Sequence, residues 1–524
     1  MAYKKLNLDW DRVSQCRDIA SRIVKPAQKY IDRHSTLSIE SATLCLMGIE
    51  NLSDKRPVAD IIITKLDRDR MRRGICYWFG RALAHTGLPP RVLAQKIADG
   101  RISLDKTPEV PFDKISSAIA TPFREGFKKM DEVVNARKAC AEHFTSISRR
   151  SPLIMVSPDN TYELKTVLSD EDTSIILLKD IRRFGLHLEL LRKRMCGFKR
   201  FAVGVSGLET PKHVVYSIAS GTDFVAMDTF ADIFIHNVNP KRAFVDAHWM
   251  RRLCRRFDAA IYSEGAHIRH MDAYRDAHEI LVSQFIEECF CENACIPPDM
   301  FAPGHAFDID PLMEEGFLHE LARASLMREL YPRNPIVYLP PSKFCLDKPI
   351  SCAELNAIFE LACAMTEQSI VLSPVAKNKF ELLNSAILVF KNSRTLGDEI
   401  QFNPNGKIAR RANTILENAS RELKKIEMAG FLESLAKGQI ADKNIDDKGG
   451  LGLEGIFQKE RDYFNPAEEL LDQKPEETYC VKRSEPIIKH PPKQEFHKGR
   501  RYGRYRHHRK SLFKKPPQRP QEGG

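Results

Sequence analysis

Hydrophobic patterning divides the chain into a helical beginning and a middle part in which apolar runs alternate with helical segments. From Asp9 to Arg33, apolar residues recur with the 3.6-residue period of an amphipathic helix. A second helix is expected to begin with Ser38 as its N-cap and Glu40 in its first turn. Similar patterns continue to about residue 150, so residues 1–150 are predicted to form an all-helical N-terminal region.

Eight short apolar runs follow, and segments with helical periodicity, such as Leu186–Met195, separate most of them. The runs are Leu153–Val156, Ile175–Leu178, Phe201–Val205, Phe224–Met227, Ala259–Tyr262, Phe301–Phe307, Ile336–Leu339 and Ile370–Leu372. Their spacing of roughly 22 to 42 residues accommodates a strand, a crossover helix and two loops. Eight such units predict a (β/α)8 TIM barrel over residues 151–395. An open doubly wound sheet is the alternative, but nothing in the sequence resembles its Gly-rich dinucleotide turn.

Helical patterning resumes over Lys407–Leu435, and residues 396–475 are predicted to be a helical C-terminal region. From residue 476 onward the composition turns to Pro, Lys, Arg, His and Gln, with little apolar surface to bury. This composition predicts a disordered basic tail over residues 476–524. The run Gly449–Gly455 neither follows a strand nor ends in Lys-Ser/Thr, so it is not expected to bind phosphate.

The net charge of +11 is concentrated in the tail. Residues 481–524 contain 14 Lys and Arg residues against 3 Asp and Glu residues, and the rest of the chain is balanced. The tail also places Arg between Tyr502, Tyr505 and Phe513, a combination that can neutralise phosphates and stack on unpaired bases. Nucleic acid, another polyanion or an acidic protein is therefore a candidate partner of residues 481–524. A solvated extension has the same composition.

The sequence indicates a cytoplasmic protein without a membrane partner. No apolar run approaches the ~20 residues that cross a bilayer, and the first residues do not have the pattern of a signal peptide. The 13 cysteines lie mostly within apolar patterns, as Cys45, Cys76 and Cys363 do. Such cysteines are typical of reduced thiols, so no disulfide framework is expected.

Polar residues that follow the carboxyl ends of barrel strands face the ligand in this class of fold, so they are the first candidates for chemistry. They are Ser263, Glu264, His267, Asp272, His305, Asp308, Asp310 and Lys343. Imidazole and carboxylate groups suit zinc or manganese, but ordering of the loop by hydrogen bonds is favoured for His305 and its neighbours. The helical period is expected to put Cys291 and Cys295 on one face of a helix, but for Cys289, Cys291 and Cys295, packing is favoured over zinc. No metal site and no catalytic residue is assigned.

Several segments resemble the α subunit of lysine 5,6-aminomutase. They are SIESATLCLMGIE at residues 38–50, then DAYRDAHEILVSQF, GHAFDIDP and YLPPSKF, and finally FQKERDYFNP at residues 457–466. The resemblance covers about residues 5–470 in the same order. It implies a barrel subunit that pairs with a smaller β subunit carrying adenosylcobalamin and a lysine that holds pyridoxal phosphate. It also implies migration of an amino group between adjacent carbons of a lysine- or ornithine-type substrate.

By this resemblance, the cofactor contacts of the chain are reduced to Ser206 and Arg182. The family's Arg-Thr-Thr-Gly-Gln-Ser run after the second strand is replaced by Lys-Asp-Ile-Arg, in which Arg182, or the adjacent Arg183, is the candidate for the family arginine. Ser206 matches a family serine, although it also suits the cap of a helix beginning near Thr210. The tyrosine that packs on the pyridine ring falls at Phe230 or Ala231. The cobalamin-anchoring pattern Asp-x-His-x-x-Gly is absent, so any cobalamin must come with a partner.

The substrate contacts implied by the resemblance are Glu264 and Lys343. Glu264 is the acid nearest to the expected carboxylate after the fifth strand. The expected lysine falls near Val337, and Lys343 follows the Pro pair, where a turn residue is the alternative interpretation. We therefore expect a divergent member of the family whose aminomutase activity is altered or absent. The alternative is a non-catalytic scaffold or regulatory protein that associates with RNA or another polyanion through its tail.

Overall fold

The computed structural model of the chain describes residues 6–49, 58–140, 153–156, 174–178, 200–205, 210–219, 221–234, 237–263, 273–306, 314–339, 358, 361–373, 402–436 and 455–471. All of them lie within one unit, Met1–Cys480. The disordered tail and a helix at Leu186–Met195 were predicted from the sequence, and both lie outside the described residues.

The N-terminal region is built on the predicted amphipathic helix. This helix is α1 (Trp10–Arg33). Its N-cap is Asp9, whose carboxylate accepts a hydrogen bond from the N–H of Arg12. After it come β1 (His34–Thr36), α2 (Leu37–Leu46), α3 (Val58–Ile63), α4 (Arg68–Met71), α5 (Ile75–Thr86), α6 (Pro90–Ala98) and α7 (Phe112–Cys140). The prediction of an all-helical region is therefore wrong at β1.

The predicted N-cap of the second helix is also wrong by two residues. The cap is Thr36, whose hydroxyl accepts a hydrogen bond from the N–H of Ile39 at 3.2 Å. Thr36 has the extended backbone that a cap requires because it is the last residue of β1. Ser38 lies inside the helix and is buried.

All eight predicted apolar runs form strands, with ends that differ by no more than about a residue from the prediction. They are β2 (Leu153–Val156), β3 (Ser174–Leu178), β4 (Arg200–Val205), β5 (Phe224–Met227), β6 (Ala260–Ser263), β7 (Phe301–Ala306), β8 (Val337–Leu339) and β9 (Ile370–Ser373). Each pairs in parallel with the next, and β9 pairs in parallel with β2. The strands form a closed barrel, so the predicted eight-stranded parallel barrel is confirmed.

The pairing registers separate the inner face of the barrel from its outer face. Ala226, Tyr262 and Ala302 are neighbours across three strands, whereas Val225 and Ile261 are neighbours on the opposite face. The second set belongs to the hydrophobic cluster shared with the surrounding helices, so the first set lines the interior. Tyr262 is fully buried there between two alanines. Followed around the barrel, the registers give a stagger of about eight residues, the shear of (β/α)8 barrels.

Helices follow the strands as the periodicity predicts. They are α8 (Thr210–Ala219) after β4, α9 (Thr229–Phe234) and α10 (Pro240–Arg256) after β5, α11 (Ala273–Asn293) after β6, and α12 (Gly316–Leu330) after β7. α10 begins with proline, and the Asn239 side chain before it accepts hydrogen bonds from the N–H groups of Lys241 and Arg242. No described helix is long and apolar enough to span a bilayer.

The C-terminal region returns to the N-terminal one. It contains α13 (Lys407–Ala429), α14 (Phe431–Ala436), β10 (Ile456–Gln458) and α15 (Pro466–Leu471). Gly430 (φ 89°) separates α13 from α14, which divides the single helical pattern predicted over Lys407–Leu435. β10 pairs antiparallel with β1, so His34 lies opposite Gln458. Neither strand was predicted, because three residues are too few to show an alternating pattern.

Candidate active site

The carboxyl rim, meaning the carboxyl ends of strands β2 to β9, is where a barrel of this class binds its ligands. The four predicted contacts belong to this rim or to the loops that follow it: Ser206, Arg182, Glu264 and Lys343. All four lie outside the described residues, as do His267, Asp272, Asp308 and Asp310. Of the other candidates, His305 is the fifth residue of β7 and Ser263 is the last residue of β6. The described part of the rim therefore consists of the ends of the strands and the side chains that hold them.

The end of β5 is held by a short polar turn. Asp228 follows the strand, and its carboxylate accepts a hydrogen bond from the N–H of Phe230 at 2.9 Å, which fixes the first turn of α9. Thr229 is buried, and its hydroxyl accepts a hydrogen bond from Arg251 at 3.1 Å. Asp232 is buried one turn later in α9. The direction in which the chain leaves β5 is thus set by buried hydrogen bonds.

Arg251 of α10 forms a fully buried ion pair with Glu287 of α11. Their side chains are 1% and 2% exposed, and Nη2 of Arg251 donates to Oε2 of Glu287. Burial by itself would lower the pKa of Arg251, but the neighbouring Glu287 carboxylate outweighs it and raises that pKa above its usual value. Through Arg251 the pair links the barrel helices α10 and α11 to Thr229, and it thereby fixes the residues that follow β5.

Gln284 holds the ends of β6 and β7 in the same way. Its Nε2 donates to the main-chain oxygens of Ser263 at 3.3 Å and of Gly304 at 3.1 Å. The side chain is fully buried on α11. The Ser263 hydroxyl is also buried, and it has no hydrogen-bond partner among the residues that the structure describes. One amide therefore bridges two neighbouring strands next to the loops that carry several predicted contacts.

Sequence reasoning did not single out Arg251, Gln284 or Glu287. For Gln284 and Glu287, the available signal was the position of these polar residues within the largely apolar segment ILVSQFIEECF of α11. A polar residue in a helical pattern normally marks the solvent face. α11 has no such face in this part, because it packs against both α1 and α13 as well as β7.

Phe230 is the described residue that tests the resemblance to a pyridoxal phosphate site. Its side chain is fully buried, with its ring centroid 6.4 Å from that of Phe234 and 5.9 Å from that of Phe244. The row of rings continues outward from Phe244 to Phe431 of α14 at 5.1 Å. The ring of Phe230 thus packs among the side chains of the helices and does not face the barrel interior. Phe230 therefore does not fit the ring contact that the resemblance implies, and the alternative position, Ala231, carries no ring.

The cysteines of α11 are packing groups. Cys289 and Cys291 are buried, and burial raises the pKa of the Cys291 thiol, which lies beside Arg251. Cys295 was expected to share a helix face with Cys291, but α11 ends at Asn293 and Cys295 has a left-handed backbone (φ 56°). That expectation is wrong. Within the described ranges, no group of three or more His, Cys, Asp or Glu residues is arranged to hold a metal ion.

Comparison with known proteins identifies the family. The model of the D-lysine 5,6-aminomutase TIM-barrel domain of alpha subunit matches residues 6–167 and 189–470. The lysine 5,6-aminomutase alpha subunit of Acetoanaerobium sticklandii is 27% identical over 517 residues, which cover 89% of this chain and 98% of the relative. That of Fusobacterium nucleatum is 28% identical over 508 residues, which cover 88% and 98%. The resemblance noted in the sequence is thereby confirmed, and the chain belongs to the family of the D-lysine 5,6-aminomutase alpha subunit.

Proposed function

We propose that this chain is a divergent α subunit that keeps the barrel scaffold of its family and has altered or lost the aminomutase activity. The family reaction would be the migration of an amino group between adjacent carbons of a lysine- or ornithine-type substrate. The observation that carries the proposal is the orientation of Phe230, which with Ala231 is one of the two positions where the family tyrosine would fall. Its ring is buried against Phe234 and Phe244 in the helix layer.

The scaffold itself supports a subunit role. Its two relatives are named alpha subunits, and this chain covers 98% of each of them. We therefore propose a smaller β subunit as the partner, and we assign adenosylcobalamin to that subunit because the Asp-x-His-x-x-Gly pattern is absent here. We further propose that the complex is cytoplasmic, since the cysteines that the structure describes are free thiols, as is typical of a reducing compartment.

The cofactor contacts left to the chain are few. Arg182 and Ser206 are the residues that we propose for a pyridoxal phosphate group, and Glu264 and Lys343 those for the substrate. A phosphate site normally combines an arginine, a serine and main-chain N–H groups, and each hydrogen bond to a charged group contributes about 1.5–3 kcal/mol. Because Phe230 does not supply the ring contact, we derive no reaction step that depends on this cofactor.

Co-purification with a β subunit tests the proposal. The chain should be co-expressed with an aminomutase β subunit that carries Asp-x-His-x-x-Gly, and the complex isolated by size exclusion. We expect a stable complex, with little absorbance from bound pyridoxal phosphate and little or no amine migration on lysine or ornithine. Turnover equal to that of a complex made with the Fusobacterium nucleatum α subunit would refute the loss of activity. Failure to form any complex would refute the subunit role.

The charge of the tail favours a second candidate function. The excess of 11 positive charges in residues 481–524 suits a scaffold or regulatory protein that binds RNA or another polyanion. RNA retention measured at 50 and 200 mM salt tests this reading. We expect retention to fall steeply with salt and to disappear when residues 481–524 are deleted. Retention that survives the deletion would exclude the tail as its cause.

A further inference from the structure

Two consecutive residues of β1 each hold a buried carboxyl group. The Ser35 hydroxyl lies 3.5 Å from Oε1 of Glu40, and the Thr36 hydroxyl donates to Oδ1 of Asp246. Glu40 is fully buried and Asp246 is 3% exposed. β1 is also the strand that pairs with β10 of the C-terminal region. The three-residue strand β1 therefore contacts two buried acids and also pairs the N-terminal region with the C-terminal region.

Glu40 joins two N-terminal helices to the C-terminal region. Its Oε2 accepts hydrogen bonds from the N–H groups of Ile75 at 2.9 Å and Cys76 at 3.4 Å, which are the first two residues of α5. Its Oε1 accepts a hydrogen bond from the hydroxyl of Tyr463, which lies between β10 and α15. The acid itself belongs to the first turn of α2. Release of this carboxyl group would loosen three contacts at once.

Asp246 joins the same strand to the barrel. It lies on α10, where Nε of Arg242 is 3.5 Å from its Oδ2. The Thr36 hydroxyl that donates to Asp246 also accepts the N–H of Ile39 and caps α2. The start of α2 and the barrel helix α10 are thus fixed through one hydroxyl group.

The groups that face these acids determine how they titrate. Burial raises the pKa of Glu40 to about 7, against the lowering effect of the hydrogen bonds from Tyr463, Cys76 and Ile75, while Glu468 of α15 raises it further. Burial raises the pKa of Asp246 to about 6, against the lowering effects of Arg242 and Thr36. Both acids therefore change charge within the range of cellular pH.

We propose that Glu40 and Asp246 form a proton-operated latch that fastens the N-terminal and C-terminal regions of the chain to α10 of the barrel. Protonation favours the closed latch, because a neutral carboxyl group loses less hydration on burial than a carboxylate. The stabilisation is complete below the ordinary pKa of the free acids and is lost as pH rises through about 6 for Asp246 and about 7 for Glu40. The latch is thus tight at pH 5 and loose at pH 8.

Hydrogen exchange of the full chain tests the latch directly. The amides to follow are those of Ile75, Cys76, β1 and β10, with rates corrected for the intrinsic pH dependence of exchange. If opening exposes both acids, the opening constant should rise between pH 5 and pH 8 on the order of 50-fold through Glu40 and about tenfold through Asp246. A wild-type opening constant that does not change with pH would overturn the proposal.

Isosteric variants assign the effect to the two acids. Glu40→Gln keeps one oxygen that can accept from the N–H groups of Ile75 and Cys76, places an NH2 group that donates to the Tyr463 hydroxyl, and removes the charge. It should therefore retain only the tenfold dependence, and Glu40→Gln with Asp246→Asn should retain none. Glu427→Gln is the matched control, because Glu427 pairs with Arg22 on α1 and does not contact the latch. Full pH dependence in the double variant would overturn the proposal.

Tyr463→Phe provides a second measurement that does not depend on how Glu40→Gln folds. It removes a hydrogen bond that lowers the pKa of Glu40, so the midpoint of the pH dependence should move upward. An unchanged midpoint, or one that moves downward, would contradict the assignment to Glu40.

Discussion

Replacing Arg251 with methionine should destabilise the barrel more strongly than a typical single substitution. The change leaves the Glu287 carboxylate, which is 2% exposed, without its cationic partner, and removes the donor to Thr229. Breaking a buried ion pair in this way costs about 3–5 kcal/mol. The van der Waals volume is largely kept by methionine, so the loss reports the uncompensated charge rather than a cavity.

Urea denaturation followed by circular dichroism measures this loss as a change in the free energy of unfolding. Arg251→Met with Glu287→Met should recover much of the stability, because no unpaired charge remains. A loss below about 1 kcal/mol, or a double variant that is no more stable than Arg251→Met, would refute the reasoning.

Arg256→Met is the matched control on the same helix. Arg256 pairs with Asp131 at 2.8 Å, but the two side chains are 35% and 39% exposed. Solvent screens such a pair, so its loss should cost no more than about 1 kcal/mol. Equal effects of Arg256→Met and Arg251→Met would mean that burial does not determine the importance of these pairs.

Three further substitutions test other parts of the structure. Gln284→Leu leaves two main-chain oxygens of the rim without their side-chain donor and should cost about 1–3 kcal/mol in urea denaturation, with faster hydrogen exchange at the ends of β6 and β7. Gly126→Ala places a Cβ against the main-chain oxygen of Leu46, so α7 must move away from α2, and the free energy of unfolding should fall by about 1–3 kcal/mol. Phe230→Tyr puts a hydroxyl group into an aromatic cluster, so it should lower the free energy of unfolding by about 1–3 kcal/mol and should not increase pyridoxal phosphate binding. Normal stability with increased binding would show that this side chain can face the barrel interior.

The barrel could be predicted from the sequence because its strands are buried on both faces. Such strands appear as short continuous apolar runs, and the run Phe224–Met227 corresponds to β5 residue for residue. β1 and β10 could not be predicted, because each is three residues long and gains its stability from a partner more than 400 residues away. The cap of α2 at Thr36 depends on that same pairing, so Ser38 was the more obvious choice from local sequence alone.

The candidate site was less predictable than the fold. The family motifs indicated that position 230 or 231 corresponds to the ring-packing tyrosine. The orientation of Phe230 could not be predicted, because it depends on packing against Phe234 of the neighbouring helical turn. The buried pair of Arg251 and Glu287 could not be inferred, since a charged residue within a helical pattern usually marks a solvent-exposed face. On α11, which carries Glu287, helices α1 and α13 from the N-terminal and C-terminal regions pack against the helix.

We propose that the chain keeps the barrel of its family but binds pyridoxal phosphate more weakly than an active α subunit does. The most direct measurement is the dissociation constant of pyridoxal phosphate from the complex of this chain with an aminomutase β subunit, compared with the same complex made with the Fusobacterium nucleatum α subunit. Loss of the ring contact and of one charged hydrogen bond amounts to about 3 kcal/mol, which corresponds to roughly 100-fold weaker binding. The account predicts a difference of that size, and equal dissociation constants in the two complexes would contradict it.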